Sequence, residues 1–346
     1  MKVMHILSSK IYSGAEKVVC QIINSFREDD DIEMVYCSPE NENVRYMVGQ
    51  QGIELLGMEK MCVSEIKRFI AQEKPDLIHA HDMRASFNAA LACGKIPLVS
   101  HIHNNAYDAR GLSPKTVAYL LAGFKAKHIL WVSNSSYEGY AFHKLFAKKS
   151  SVLYNIIDTD QIFEKKAQDT ATYDYDMIYV GRLTFQKDPQ RLMRLCARLK
   201  EGKPDLKVAI VGTGELEAEV KQLCAELNIG ENVRFLGFQP NPIKMIHDSK
   251  VMILTSRWEG TPMCALEAMA LGTPVVSTPS DGMKDLIDDG INGYLTDDDT
   301  VMAEKLLAIM QDADHRNSLG QQAQKKFSKI NDAPKYKQAI FDCYRS

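Results

Sequence analysis

The chain has 346 residues, 45% of them hydrophobic and 25% charged, with a formal net charge of −3. That length suits two domains of ordinary size with substantial cores, and it needs no disulfide staples. The small negative charge excludes a nucleic-acid binder that works through broad phosphate attraction.

Short apolar runs alternate with helical patterns from the start. Residues 3–7 predict a buried strand, and Val18, Val19, Ile22, Ile23 and Phe26 then fall at helical spacing. Further strands are expected at 32–37, 77–80, 98–102, 129–132 and 152–154. Residues 160–176 are polar and without apolar periodicity, and read as a linker. The pattern restarts with strands at 177–180, 208–211, 233–236, 251–254 and 274–277. Asp188-Pro189 looks like a helix start, and 335–344 like a helix apolar enough to pack on something. Strand–helix alternation of this kind implies parallel sheets with right-handed crossovers, here two doubly wound α/β domains in tandem.

The cysteines at 20, 37, 62, 93, 196, 224, 264 and 343 include no pair at zinc-knuckle or redox spacing. They read as free thiols of a reducing compartment. The apolar run after Met1 is too short for a signal peptide, and no segment approaches the roughly 20 apolar residues of a membrane span. A cytoplasmic protein is expected.

The richest stretch runs from Ser256 to Gly272. Pro262 can open a helix that ends near Gly272, with Glu267 in its middle and apolar residues on every face. A carboxylate buried there needs a partner. A structural donor and a hydroxyl-bearing ligand such as a ribose are both open. Glu259 precedes this helix, at the strand end where open α/β sheets bind ligands. In the stretch from Val180 to Pro189, Arg182 and Lys187 bracket a loop before a helix N-terminus, which makes an anion site unless both are solvated surface charges. Gly14, in Tyr12-Ser13-Gly14, and Gly212-Thr213-Gly214 sit in strand-to-helix turns where backbone can approach a phosphate. Neither turn carries the dinucleotide fingerprint, which speaks against a nicotinamide or flavin enzyme.

His101 and His103, in Ser100-His101-Ile102-His103-Asn104-Asn105, point the same way along a strand. Two histidines do not make a metal site, and His79-Ala80-His81-Asp82 stands at another strand end, so no metal is expected. A substrate-bonding histidine and a packed one are the other readings. Asp174-Tyr175-Asp176 precedes a strand and belongs on the far edge of its sheet. Asp297-Asp298-Asp299 reads as N-terminal capping charge.

Together these segments resemble the retaining glycosyltransferases of the GT-B fold, family 4 among sugar transferases, over nearly the whole chain and in the right order. The resemblance rests on Glu259 and Glu267 around Glu-Gly-x-Pro, and on Gly181-Arg182-Leu183 followed by Lys187. Lesser matches are Trp131-Val132-Ser133, Asn155-Ile156-Ile157-Asp158, Phe235-Leu236-Gly237 and Asp289-Gly290-Ile291-Asn292-Gly293. The stretch from Pro97 to Asn104 looks like the subgroup that builds bacterial capsule or exopolysaccharide. Where the family often has Gly-Gly-x-x-Glu, this chain has Asp281-Gly282-Met283-Lys284-Asp285, and Ser13 replaces a first-loop glycine.

The resemblance implies two Rossmann-like doubly wound parallel-sheet domains facing across a cleft. Residues 1–165 would be the acceptor side, with the C-terminal helix 333–346 packing back on it, and 170–330 would bind the donor. The implied reaction moves a sugar, with retention, from a nucleoside-diphosphate sugar, first of all a UDP-sugar, to a glycan or lipid-linked acceptor in bacterial surface polysaccharide synthesis. It needs no metal and no cofactor, since the nucleotide-sugar is a substrate. The resemblance assigns Arg182 and Lys187 to the diphosphate, Glu267 to the ribose and Glu259 to the transferred sugar. Backbone around Gly260, Thr261, Met263 and Cys264 would help hold the sugar. Phe235, Gly237 and Phe238 would lie by the base, His103 by the reacting bond and Gly14 by the donor phosphates. The aromatics and cations of 142–149 suit peripheral contact with anionic lipid at the inner face of the cell membrane. A sugar-nucleotide epimerase and a non-catalytic sugar-nucleotide binder are the alternatives.

Overall fold

The computed structural model describes residues 1–8, 11–103 and 109–345. Asn104 and Asn105 of the histidine motif lie outside them. The chain divides into two compact units, Met1–Ile156 with Ala333–Ser346, and Ile157–Asp332.

The first unit holds β1 (Lys2–Leu7), β2 (Glu33–Pro39), β3 (Leu55–Met58), β4 (Leu77–His81), β5 (Leu98–Ile102), β6 (His128–Trp131) and β7 (Ser150–Val152). They pair in parallel in the order β3-β2-β1-β4-β5-β6-β7. Helices cover the sheet, so β4 and β5 are buried at every position, their histidines and Ser100 included. The edge strand β3 was not foreseen. Its four residues include Gly57, and so short a run has no pattern of its own. The terminal helix Ala333–Arg345 belongs to this unit. Its buried Tyr336, Ile340, Cys343 and Tyr344 make one helical stripe. Lys337 pairs with Asp29 at 2.6 Å, and Phe341 stacks on Phe26.

The second unit holds β8 (Met177–Val180), β9 (Val208–Val211), β10 (Val233–Gly237), β11 (Val251–Leu254), β12 (Val275–Ser277) and β13 (Gly293–Leu295). The order is β10-β9-β8-β11-β12-β13, again all parallel. The three-residue β13 also escaped the sequence reading. The stretch read as a linker is largely helix, Thr159–Gln168, within the second unit. Asp158 caps it, accepting from the Gln161 amide at 3.0 Å. Ile162 is its one buried residue, too few for a visible period.

In both sheets the strand order reverses direction once, between β1 and β4 and between β8 and β11. At such a switch the flanking loops diverge and leave a crevice at the carboxyl ends of the strands.

Candidate active site

In the second unit the loops after β8 and β11 flank the switch and are sewn together by backbone. Thr255 Oγ1 donates to the carbonyls of Lys187 at 2.9 Å and Asp188 at 3.1 Å. The Arg257 amide donates to Gln186 O at 2.8 Å, and Gln186 Nε2 donates to Trp258 O at 2.9 Å. Asp188 takes a left-handed φ of 48°, caps helix Pro189–Gly202 and pairs with Arg257 at 2.8 Å.

This lacing brings Lys187 Nζ to 2.5 Å from Glu259 Oε1, and Ser256 Oγ donates to the same oxygen at 2.5 Å. Their side chains are only 13% and 5% exposed, so the charges meet largely out of water. Arg182 is exposed, and its guanidinium has no hydrogen-bonding partner among the described residues. Two residues assigned to different parts of a donor are thus bonded to each other, and a second cation, Arg182, is uncommitted.

Tyr179, which the sequence reading passed over, anchors this corner. Its hydroxyl donates to the Arg182 carbonyl at 2.9 Å. Burial pushes its phenol well above the ordinary value, Glu259 and Cys264 push it further, and Arg182 opposes them. The only hint was a lone phenol in the strand Met-Ile-Tyr-Val.

Helix Met263–Leu271 follows Pro262 and ends at Gly272, whose φ is 77°, as its sequence predicts. Glu267 is buried in its middle. Thr261 and Met263 are buried and Cys264 half-buried, so the helix N-terminus carries its partial positive charge into the second loop. Gly282 packs under that loop. A Cβ on it would lie 1.3 Å from the Gly260 carbonyl oxygen, so helix Asp281–Leu286 rests directly on Gly260 backbone.

Gly212 and Gly214 answer to backbone packing. A Cβ on them would meet the carbonyls of Gly181 at 2.0 Å and Leu183 at 2.2 Å. Phe235 and Gly237 flank a bulge on the edge strand β10, where Gly237 accepts from the Gly212 amide and Phe238 is exposed. They sit at the carboxyl end of their strand, two places from β8. Asp176, at the opposite end of β8, is held by Lys250 at 2.8 Å. Asp298 caps helix Asp299–Gln311, and Arg191 clamps both its neighbours at 2.6 Å.

In the first unit Gly14 opens helix Gly14–Ser25. Ser13 joins its N-terminus, donating to Glu16 Oε2 from its amide at 2.8 Å and its hydroxyl at 2.7 Å. His103 follows β5. The two histidine motifs, taken from sequence as separate strand ends, form one array, because β4 and β5 are neighbours with His81 opposite His101. His5 of β1 joins them. His5 Nδ1 lies 3.0 Å from His81 Nε2, and His81 Nδ1 lies 2.8 Å from His103 Nε2. The Tyr344 hydroxyl lies 2.7 Å from His79 Nδ1. Burial lowers His5 and His103 to about 3. Burial, then neighbouring histidines, hold His79, His81 and His101 well below the ordinary value. All five rings are neutral at physiological pH.

A doubly wound unit with cations, a carboxylate and a helix N-terminus at its switch defines a binder of anionic, nucleotide-like ligands. Comparison with known proteins narrows the class. The family model described as "Glycosyltransferase Family 4" matches residues 12–161, and "Glycosyl transferases group 1" matches 160–326. This chain belongs to the GT-B glycosyltransferases. An uncharacterized glycosyltransferase of Methanocaldococcus jannaschii is 29% identical over 62% of this chain and 58% of its own length. The Campylobacter jejuni N-acetylgalactosamine-N,N'-diacetylbacillosaminyl-diphospho-undecaprenol 4-alpha-N-acetylgalactosaminyltransferase is 35% identical over 55% of this chain and 53% of its own. The chain thus spans less than two thirds of either relative. Anabaena Alr3699/HepE in complex with UDP-glucose has the same fold, with a TM-score of 0.86 and 22% identity over 100% of this chain and 99% of that one.

Proposed function

We propose that this protein transfers a sugar from a nucleoside-diphosphate sugar, a UDP-sugar first, to a glycan or lipid-linked acceptor of bacterial surface polysaccharide. The observation that carries the reading is the Lys187–Glu259 contact at the β8/β11 switch, with Arg182 uncommitted beside it. A lysine ammonium has three donors, so Lys187 can keep Glu259 and still bind a phosphate oxygen. Arg182 offers a fork to the same diphosphate. Support for the donor and acceptor comes from the relatives' printed names and the UDP-glucose complex.

In this mechanism the bond from the anomeric carbon to the diphosphate oxygen breaks. Arg182, Lys187 and the N-terminus of helix Met263–Leu271 take up the charge that develops there, without a metal. The acceptor oxygen bonds the same face of the anomeric carbon, and its proton passes to the leaving phosphate. Glu259, with its backbone neighbours Gly260 to Cys264, orients the sugar, Glu267 holds the ribose, and Phe235, Gly237 and Phe238 border the base. The resemblance would give His103 the sugar near the reacting bond and Gly14 a close backbone approach to the phosphates. The test is product formation from UDP-, GDP- and ADP-sugars, with and without a lipid-linked acceptor, in EDTA. Conversion that needs no acceptor indicates an epimerase, and a metal requirement removes the electrostatic role given to Arg182 and Lys187.

The acceptor suggests a membrane surface. No helix among the described residues is long and apolar enough to cross a membrane. In the segment 142–149, Phe146 is buried beneath Gly123 and Phe142 packs on the core, while Leu145, Lys144 and Lys148 stay exposed. A larger patch lies next to it. Val117, Leu121 and Phe124 form an exposed stripe on helix Pro114–Lys125, with Leu112 and Leu145 also exposed, and Lys144 and Lys148 beside Leu145. An apolar stripe flanked by lysines fits anionic lipid. Phe124→Ser should weaken co-sedimentation with anionic vesicles, and equal binding of wild type to neutral and anionic vesicles would contradict it.

A further inference from the structure

The histidine array contains a group that nothing above employs. His101 is fully buried, and neither of its ring nitrogens has a hydrogen-bonding partner among the described residues. An unsatisfied buried imidazole is costly and calls for an absent occupant. The His101 ring centroid lies 5.5 Å from that of His81 and 4.3 Å from that of His103. One nitrogen from each of His81, His101 and His103 falls within 4.8 Å of the others. Two of these, His81 Nδ1 and His103 Nε2, are 2.8 Å apart. Ligands about 2.0–2.1 Å from a tetrahedral ion stand about 3.3 Å apart, so an ion would open this pair by about 0.5 Å and draw the His101 nitrogen in.

We propose that His81, His101 and His103 bind a divalent transition ion, with zinc as the reference case. The sequence reading set a metal aside because two histidines are too few. The β4–β5 register supplies the third. Imidazoles without thiolate or carboxylate select zinc, copper, nickel or cobalt over magnesium and calcium. The next layer is built as well, since His5 Nδ1 holds His81 Nε2 at 3.0 Å and so directs the other nitrogen toward His103. Three histidines leave the fourth position of a tetrahedral ion to water or a ligand. If His103 acts as proposed above, occupancy inhibits transfer and chelation restores it; the site itself does not depend on that reading.

The experiment is a Co(II) titration of EDTA-treated protein, read by visible absorption. One equivalent should produce the intense bands of a four-coordinate nitrogen site, and Zn(II) should abolish them by displacement. His101→Ala and His103→Ala should each lose the bands. Both should keep a cooperative melting transition in EDTA, which shows that they are folded without recourse to the transferase reading. His101→Ala should also keep wild-type transfer in EDTA. Absence of the bands in wild type, or their survival in either variant, overturns the site.

Discussion

The two units carry the same winding and opposite chemistry at their switches. Around β8 and β11 the strand ends present fixed charge, with Lys187 against Glu259 and Arg182 beside them. Around β1, β4 and β5 they present five stacked histidines, all neutral. The difference shows that topology supplies only the crevice. A handful of strand-end side chains decides whether it is suited to an anion or to a soft, neutral-ligand guest. It also shows how each set is kept in place. The charges are held by loop backbone through Thr255 and Gln186, whereas the histidines are held by strand register and by Tyr344 from the terminal helix.

The comparison breaks most sharply at Lys187. Lys187→Ala should lower turnover by about 10²–10³-fold, the usual loss for one oxyanion-type donor. Turnover at the wild-type level, measured with the preferred donor, would return Lys187 to a structural ion pair. The first unit should give way next, to acid. His5 and His103 sit near a pKa of about 3, against 6.5 for an ordinary histidine. Between those values the unfolded chain takes up protons that the folded unit refuses. Stability is therefore full above pH 6.5 and falls as the pH drops, by about 1.4 kcal/mol per pH unit for each histidine. The chain has two tryptophans, Trp131 in the first unit and Trp258 in the second. In Trp258→Phe, the Trp131 fluorescence transition should fall by about 10 °C or more between pH 7 and pH 5. The second unit's calorimetric transition should move much less, and equal shifts would refute the contrast.

A smaller effect is expected at Gly282, where an added methyl meets Gly260 backbone at 1.3 Å. Gly282→Ala should cost about 1–3 kcal/mol and weaken donor binding by displacing the loop that carries Glu259. Unchanged melting would mean that the helix resting there yields freely.

How much of this could be read from sequence varies with the kind of signal. Buried parallel strands such as 177–180, 208–211 and 251–254 were legible to the residue, because a strand covered on both faces is an unbroken apolar run. Short edge strands and a helix with one buried residue, Ile162, leave no such mark. Glu267 was placed mid-helix by the punctuation of Pro262 and Gly272. Glu259 and Lys187 were picked out singly, but their bond depends on hydrogen bonds between two loops 72 residues apart, which no local pattern encodes. The histidine array was missed for the same reason. His5, His79 and His101 are distant in sequence, and only the strand order makes them neighbours.

The central claim is that Arg182 and Lys187 receive a nucleoside diphosphate at the β8/β11 switch. Titration calorimetry of UDP, GDP and ADP against wild type, Arg182→Ala and Lys187→Ala tests it directly. One nucleotide should bind wild type, and each variant should bind it at least about tenfold more weakly, the loss of one charge-assisted contact. No binding by wild type, or equal binding by all three proteins, would contradict the account.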